Sequence, residues 1–345
     1  MDWSLSTILA GALLASNGTA GGPDDRSLAP QRPHRPVATY SIVARDLETG
    51  ELGVAVQSHW FSVGSVVSWA EAGVGAVATQ SLVDPAYGPL GLELMRMGRT
   101  GPEALRGLLS SDDGRAVRQV AMIDTKGRVA AHTGERCIAS AGHVVDEKLQ
   151  FSVQANLMAN PHVWPAMAEA MRSTTGDLAD RMVAALEAAQ RAGGDIRGRQ
   201  SAALLVVSAT STGKPWVDRT FDLRIEDHPT PIKELKRLVR LQRAYLHMNA
   251  GDVAMEHGNF KQASQEYAAA ETLAPEIVEI PFWHAVTLAG SEEVSKALPI
   301  FRRVFAREPV WADLVPRLVP SGLLPDDPDL IKRILAEAPP KPLRR

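Results

Sequence analysis

Two hydroxyl side chains lie at the start of the first predicted strand of this chain. Thr39 and Ser41 are two residues apart in the segment TYSIVA, residues 39–44, whose apolar residues and following turn predict a β-strand. Side chains two residues apart share one face of a strand. A threonine hydroxyl attacks an amide carbonyl when a nearby base removes its proton. Threonine also favours strands for packing reasons alone, so a reactive hydroxyl and an ordinary strand residue remain as alternatives.

Two residues near the ends of other predicted strands have side chains suited to assist such a reaction. His59 follows Ser58 at the end of the second strand, where its imidazole either relays a proton or is simply exposed to solvent. Asn156 interrupts the apolar segment 151–157, and its uncharged amide is suited to stabilise an oxyanion. The alternative for Asn156 is a buried side chain that holds the next loop in place.

A third group of polar residues precedes the last strongly apolar strand. Asp195, Arg197 and Gln200 follow a Gly-Gly turn and lead into the segment ALLVV. Together with Ser41 and Ser58, they are the candidates to bind a polar substrate. The alternative is that the aspartate and the arginine form a salt bridge with each other, as pairs this close often do.

Motifs for other chemistries are absent from the sequence. Its histidines show no HExxH or HxH spacing, and Cys137 is the only cysteine, so no metal site is expected. The sequence contains neither GxxxxGK[ST] nor a complete GxGxxG fingerprint, and it lacks the GxSxG elbow of serine hydrolases. We therefore expect no cofactor.

Composition and charge limit the classes of protein and partner. The 345 residues are enough for about two domains. Hydrophobic residues make up 45% and charged residues 22%, which is typical of a globular protein. Lys plus Arg number 37 against 40 Asp plus Glu, so the sequence offers no basic excess for nucleic acid.

The first 38 residues differ from the rest. The apolar run 8–15 is too short to span a membrane. A secretory signal begins with positive charge, whereas the earliest charge here is Asp2. We interpret residues 1–38 as a leader and linker, which favours a cytoplasmic protein and leaves export as the alternative.

The segment 39–228 alternates pairs of strands with pairs of helices. Hairpin-rich blocks separated by helix pairs predict two sheets face to face with helices on both outer sides, a four-layer α/β/β/α sandwich. The predicted strands cover residues 39–44, 54–57, 65–69, 74–80, 117–124, 129–133, 151–157, 202–208 and 221–225. The predicted helices cover residues 87–97, 102–109, 163–173 and 178–192.

The segment 232–345 is predicted to be all α-helical and repeats at an interval of 34 residues. Ala263 and Ala297, Tyr267 and Phe301, and Pro275 and Pro309 are each 34 apart. This interval, with small, aromatic and proline positions in register, is typical of tetratricopeptide (TPR) helix pairs. Such a domain either docks a protein partner or braces the preceding domain.

Several long blocks of the chain resemble the family catalogued as domain of unknown function 1028. The blocks are TYSIVARDLETGELGVAVQSHWFSVGSVVSWAEAGVGAVATQ (39–80), DPAYG (84–88), QANLMANP (154–161), GGDIRGRQSAALLVV (193–207) and DLRIEDHPTPI (222–232). The resemblance implies an N-terminal-nucleophile (Ntn) hydrolase fold, which is a four-layer sandwich. It aligns Thr39 with the threonine that follows the initiator methionine in shorter members of the family.

The resemblance implies that Thr39 is the nucleophile that cleaves a small amide or lactam-like substrate. In an Ntn hydrolase the free α-amine of the first residue, with a pKa of about 8, is the base. Here 38 residues precede Thr39, so a cut between Ala38 and Thr39, by self-cleavage or otherwise, must come first. The other interpretations are a non-catalytic scaffold that recruits a partner through the C-terminal helices, and a protein that only cleaves itself. By analogy with symmetric sandwiches, we expect a homodimer.

Overall fold

The computed structural model of the protein describes residues 39–291 and 293–340. The predicted leader, residues 1–38, lies outside them. The described residues form a mixed α/β structure with two antiparallel sheets, followed by a helical C-terminal region. The strands are β1 (Thr39–Arg45), β2 (Leu52–Ser58), β3 (Ser68–Glu71), β4 (Gly75–Ser81), β5 (Arg118–Asp124), β6 (Val129–Thr133), β7 (Gly142–Asp146), β8 (Phe151–Ala155), β9 (Ser201–Val207) and β10 (Arg219–Ile225).

The helices fall into pairs between the strands and into the C-terminal region. They are α1 (Gly64–Val67), α2 (Tyr87–Arg96), α3 (Gly101–Ser110), α4 (Val163–Ser173), α5 (Leu178–Arg191), α6 (Pro215–Asp218), α7 (Pro231–Glu256), α8 (Phe260–Leu273), α9 (Glu279–Gly290), α10 (Val294–Arg307), α11 (Val315–Leu318) and α12 (Pro328–Leu335). Within the described part of the chain, none of them is long and apolar enough to cross a membrane.

Hairpins set the register of both sheets. The six-stranded sheet has the order β10-β9-β2-β1-β8-β7, and the four-stranded sheet has the order β3-β4-β5-β6. The turn between β1 and β2 contains Gly50 at a φ of +76°, a conformation that glycine adopts without steric cost. This turn places Thr39 opposite Ser58 and Arg45 opposite Leu52.

Hydrophobic clusters lie between the two sheets and on the outer face of each. Val54 of the six-stranded sheet and Ala121 of the four-stranded sheet belong to the cluster between them. Leu186 of α5 belongs to the cluster on the outer face of the larger sheet, and Leu92 of α2 to that of the smaller sheet. The packing order is therefore helices, sheet, sheet, helices.

The structure differs from the sequence-based elements in several places. The predicted strand 65–69 begins only at β3, because residues 64–67 form one helical turn, in which the backbone N–H of Val67 donates to the carbonyl of Val63. The β-branched valines there favour a strand, but the tertiary structure overrides that preference. The sequence patterns missed β7, a partly exposed edge strand, and the short helix α6. Helix α7 is a single helix of 26 residues within the segment that the sequence predicts to be all α-helical.

The predicted strand 151–157 is also too long. Strand β8 ends at Ala155, and Leu157 has a φ of +57°, which is outside the range of an extended strand. Asn156 therefore follows a strand rather than interrupting one, which corrects the interpretation of its position.

The C-terminal helices pack in consecutive pairs. Ala263 and Tyr267 of α8 are buried in one cluster with residues of α7. Ala297 and Phe301 of α10 are buried in a second cluster with residues of α9. The alanines and the aromatic residues that are 34 apart in sequence are thus buried in the contacts of α7 with α8 and of α9 with α10.

Helix α7 contributes to two cores at once. Its first turns place Val239, which is buried, in the cluster on the outer face of the six-stranded sheet. Its last turns pack against α8 through Met248 and Ala254. The helix therefore links the sheets to the helical region by apolar contact.

We expect Val239→Ala to lower the free energy of unfolding by about 2 kcal/mol. The substitution removes two buried methyl groups and leaves a cavity in a packed core. Val253→Ala on the same helix is the matched control, because Val253 is 51% exposed, and it should change the value by less than about 0.5 kcal/mol. Urea denaturation measures both. Equal effects would show that the sheets do not depend on α7.

Candidate active site

Polar side chains gather at one end of the space between the sheets. We call them the interior polar cluster, and all are fully buried: Thr39, Ser41, Ser58, Gln80, Gln119, Ser152, Gln154 and Asn156. Antiparallel pairing brings them together, because the start of one strand lies beside the end of its neighbour. The cluster members on β1, β2, β4 and β5 share the inward face of their strand with apolar residues of the inter-sheet cluster.

Thr39 is the first residue of β1. Its Oγ1 donates a hydrogen bond to Ser58 Oγ over 3.1 Å, across the pair that the β1–β2 register makes. Its carbonyl accepts from the backbone N–H of Asn156 at 3.1 Å. The hydroxyl therefore lies between β2 and the residue that follows β8.

Ser41 is the centre of a chain of hydrogen bonds between the two sheets. Its Oγ donates to Gln80 Oε1 at 2.6 Å and accepts from Gln154 Nε2 at 2.6 Å. Gln154 Oε1 in turn accepts from Ser152 Oγ at 2.9 Å. Every donor in this chain has a defined acceptor, so the orientation of each carboxamide is fixed.

Gln119 is the hub of the cluster. Its Nε2 donates to the backbone carbonyls of Ala155 and Gly142 at 2.9 and 3.2 Å. Because carbonyls only accept, its Oε1 must face the other way, where it accepts from Gln80 Nε2 at 2.7 Å and Asn156 Nδ2 at 2.9 Å. The orientation of the Asn156 amide follows from this contact.

Asn156 keeps an acceptor that nothing in the described structure uses. Its Oδ1 is buried and has no hydrogen-bond partner among the described residues. An unsatisfied buried carbonyl oxygen costs stability, which is typical of a group that a substrate or another hydrogen-bond donor satisfies. The amide thus offers an acceptor beside Thr39, in addition to the N–H group that it donates to Gln119.

His59 lies outside this cluster of buried side chains. It is exposed, and its backbone N–H donates to Asp195 Oδ2 at 3.2 Å. Its ring borders the loop that contains Gly198, where a Cβ would come within 3.8 Å of Nδ1. The structure therefore groups His59 with the loop before β9.

Asp195 and Arg197 form the mutual salt bridge that was one of the two sequence-based alternatives. Arg197 Nη2 lies 2.8 Å from Asp195 Oδ2, and its backbone N–H and Nε donate to Asp195 Oδ1. Gln200 joins the loop to the strands, because its N–H donates to the Ser58 carbonyl at 3.0 Å. The loop is thus hydrogen-bonded to Ser58, the last residue of β2, which is paired with Thr39.

Tyr40 and Gln57 lie on the opposite face of the same sheet, towards α5. Tyr40 Oη donates to Gln190 Oε1 at 3.1 Å. Burial raises the pKa of Tyr40 well above its ordinary value, and the Asp195 carboxylate raises it further while Arg199 opposes this. Gln57, directly opposite Tyr40 in register, is fully buried, and neither of its polar side-chain atoms has a partner in the described structure.

We expect Gln57→Met to raise the free energy of unfolding by about 1–2 kcal/mol. The change removes two buried polar atoms that lack partners and keeps the length of the side chain. Gln265→Met is the control, since Gln265 is exposed on α8 and should leave the value within about 0.5 kcal/mol. Urea denaturation compares the two. A loss of stability in Gln57→Met would mean that the carboxamide is satisfied in solution.

Thr133 lies at the edge of the interior polar cluster and connects the cluster to His143. Gln119 Nε2 donates to Thr133 Oγ1 at 2.9 Å, and Thr133 Oγ1 lies 2.8 Å from His143 Nδ1. Partial burial, and to a smaller extent the charge of His132, lower the pKa of His143. Both effects favour the neutral form of the ring.

Sequence reasoning found three of the four hydroxyl residues of the cluster and Asn156, but it missed Ser152 and the three glutamines. The signal was a glutamine at an inward position of a strand whose other inward residues are apolar, as Gln119 is beside Ala121 and Ile123. Their meeting depends on pairing between distant segments, which a single sequence does not reveal. Among the described residues, no group of three or more His, Cys, Asp or Glu side chains is placed to hold a metal ion.

The chain is similar to a known protein family and to a solved structure. The model of the family DUF1028, described as a family of unknown function, matches residues 39–235. The match begins at Thr39, the first residue of β1, and ends within α7.

The crystal structure of protein SPO2555 from Silicibacter pomeroyi, described with the same family, is 32% identical to this chain and has a TM-score of 0.52. The similarity covers 59% of this chain and 88% of that one. No curated protein matches the chain.

Proposed function

We propose that this chain, which belongs to the DUF1028 family of unknown function, is an amide hydrolase of the Ntn type with Thr39 as its nucleophile. The observation that carries the proposal is the position of Thr39. It is the first residue of β1, and its hydroxyl lies in the interior polar cluster at the end of the space between the two sheets. A catalytic first residue requires this combination of a strand start and surrounding polar groups.

The packing order also supports an Ntn-type sandwich. Two antiparallel sheets pack face to face, with helices on both outer sides. Fold alone does not establish a reaction, so the proposal depends on the chemistry available at Thr39.

In the proposed reaction, Thr39 acts in two stages. A cut between Ala38 and Thr39 first frees the α-amine, whose pKa of about 8 suits a base near neutral pH. The amine takes the proton from Oγ1 as that oxygen bonds to the substrate carbonyl carbon. It then gives the proton to the leaving nitrogen as the C–N bond breaks. Water hydrolyses the resulting ester and restores the hydroxyl.

The surrounding residues have supporting roles in this mechanism. Ser58 Oγ holds the Thr39 hydroxyl at 3.1 Å, and the Asn156 amide stabilises the developing charge or orients the substrate. We assign to His59, which is exposed and directly follows Ser58, the relay of protons to solvent. We assign polar substrate contacts to Ser41 and Gln200, because Ser41 lies two residues from Thr39 on β1 and the Gln200 N–H donates to the Ser58 carbonyl. Asp195 and Arg197, which pair with each other, hold the loop before Gln200 against the end of β2. The interior polar cluster consists of uncharged side chains, which favours a small neutral amide as the substrate.

The cut that frees Thr39 is itself consistent with this chemistry. Attack of Oγ1 on the carbonyl of Ala38 would exchange the peptide bond for an ester, which water then cleaves. The chain would act on itself once before acting on a substrate. A protein that stops after this single event remains a narrower form of the same proposal.

The decisive experiment is intact-mass analysis with N-terminal sequencing of protein that carries no N-terminal tag. The proposal expects a mature chain that starts at Thr39. A chain that stays joined to residue 38 would have an amide in place of the base, and would contradict this mechanism.

A second candidate function is a scaffold that recruits a protein through the C-terminal helices. It is favoured by the equivalent buried positions of Tyr267 and Phe301, 34 residues apart in two helix pairs, as in TPR units.

A homodimer through the outer helices belongs to the same proposal. Sedimentation of the full chain tests the dimer directly, since a monomer at micromolar concentration would exclude it.

A further inference from the structure

A cavity of about 300 Å³ lies between the end of α5 and the start of α7. It is on the helix side of the six-stranded sheet, whereas Thr39 faces the space between the sheets. Four cationic side chains line it: Arg191, Arg199, Lys233 and Lys236. The cavity is at the small end of the range for ligand sites, which begins at about 300 Å³.

The positive charge of this cavity is mostly uncompensated. Lys236 pairs with Glu187, with Nζ 3.0 Å from Oε1. Within the described part of the chain, no carboxylate forms a salt bridge with Arg191, Arg199 or Lys233, and Lys233 has only a longer-range attraction to the carboxylate of Glu234. Three like charges around one small space repel each other, and a bound anion is the simplest way to offset that repulsion.

The start of α7 adds to the attraction for an anion. Ile232 and Lys233, in its first turn, line the cavity. Thr230 makes no side-chain cap there, and Pro231 has no N–H. The positive end of a long helix with uncapped amides favours phosphate groups.

The layer beneath the cavity contains a polar side chain without partners. Gln190 lines the cavity and accepts the hydrogen bond of Tyr40 Oη. Gln57 is the cross-strand neighbour of Tyr40 on that face, is fully buried, and has no hydrogen-bond partner for either side-chain atom in the described structure. Proteins tend to keep such costly groups at functional sites.

We propose that this cavity binds a small molecule that carries a phosphate group, held by Arg191, Arg199 and Lys233 at the start of α7. Arginine guanidinium groups and a lysine ammonium are the side chains that phosphate oxygens prefer. Ile232, which is buried at the same cavity, is placed to contact the organic part of the ligand. This site is independent of the proposed reaction at Thr39.

The test is calorimetric titration of the full chain with inorganic phosphate and, separately, with phenyl phosphate, at constant ionic strength set by sodium chloride. We expect saturable binding that weakens at least about 10-fold in the double variant Arg199→Gln/Lys233→Gln. The double variant removes two charge-assisted contacts to the phosphate, and a tenfold change corresponds to about 1.4 kcal/mol. Tighter binding of phenyl phosphate would indicate a phosphorylated organic molecule, and equal binding would indicate free phosphate.

The control is the double variant Lys148→Gln/Lys261→Gln, which removes the same charge from exposed positions away from the cavity. It should bind both probes as the parent does. Equal weakening of binding in the two double variants would show that binding depends only on the net charge of the protein, and would overturn the proposal. Absence of saturable binding of either probe to the parent would overturn it as well.

Discussion

Thr39→Ala is expected to abolish covalent labelling by a β-lactone and to lower amide hydrolysis at least about 10³-fold, the scale of losses when a catalytic nucleophile is removed. A β-lactone acylates an activated hydroxyl by opening its strained ring, so it reports on the nucleophile without knowledge of the substrate. In the parent we expect one acyl group, located on the N-terminal threonine by mass spectrometry. Thr39→Ser keeps a hydroxyl and should keep the label.

The same variants separate catalysis from folding. Thr39 is fully buried and donates to Ser58, so Thr39→Ala should cost only about 1–2 kcal/mol in the free energy of unfolding. The variant should therefore stay folded and unlabelled. If it is labelled as well as the parent, another nucleophile reacts and the mechanism is wrong.

A further comparison addresses self-cleavage. If the Thr39 hydroxyl attacks the preceding carbonyl, the Thr39→Ala chain should keep its leader while the Thr39→Ser chain loses it. If both variants lose the leader, another protease makes the cut. The label on mature Thr39 would still support the hydrolase.

The sequence predicted the position of Thr39 well, because that position depends on local patterns. The alternation in residues 39–44 and the turn at Gly50 are enough to predict β1 and its partner. The Asp195–Arg197 pair was also foreseeable as one alternative, since the two residues are only two apart.

The sequence did not predict the glutamine contacts of the interior polar cluster or the helical turn at residues 64–67, because both depend on contacts between distant segments. Ser41 meets Gln154 across 113 residues, and Gln80 meets Gln119 across 39. Each glutamine alone looks like an ordinary polar residue in a strand. The helical turn at residues 64–67 was missed for the same reason. Its conformation depends on contact with β9, where a Cβ added at Gly64 would come within 2.5 Å of the Ala203 side chain.

The second large effect is a loss of stability on substitution of Gln119, the hub of the interior polar cluster. Gln119→Met should lower the free energy of unfolding by about 3–5 kcal/mol, because a thioether of similar length can neither donate to two carbonyls nor accept from two amides. Asn156 Nδ2 would lose the partner that it has at 2.9 Å. Breaking a buried hydrogen-bond network is one of the few routes to losses of this size.

Urea denaturation of Gln119→Met beside the exposed control Gln265→Met measures this contribution, and the control should stay within about 0.5 kcal/mol of the parent. A loss below about 1 kcal/mol would mean that neighbouring groups re-pair and that the cluster does not hold the site rigid. A large loss would show that the carboxamides fix the Asn156 amide beside Thr39. The polar interior would then be a positioning framework, because the same atoms that stabilise the sheets also orient the group next to the proposed nucleophile.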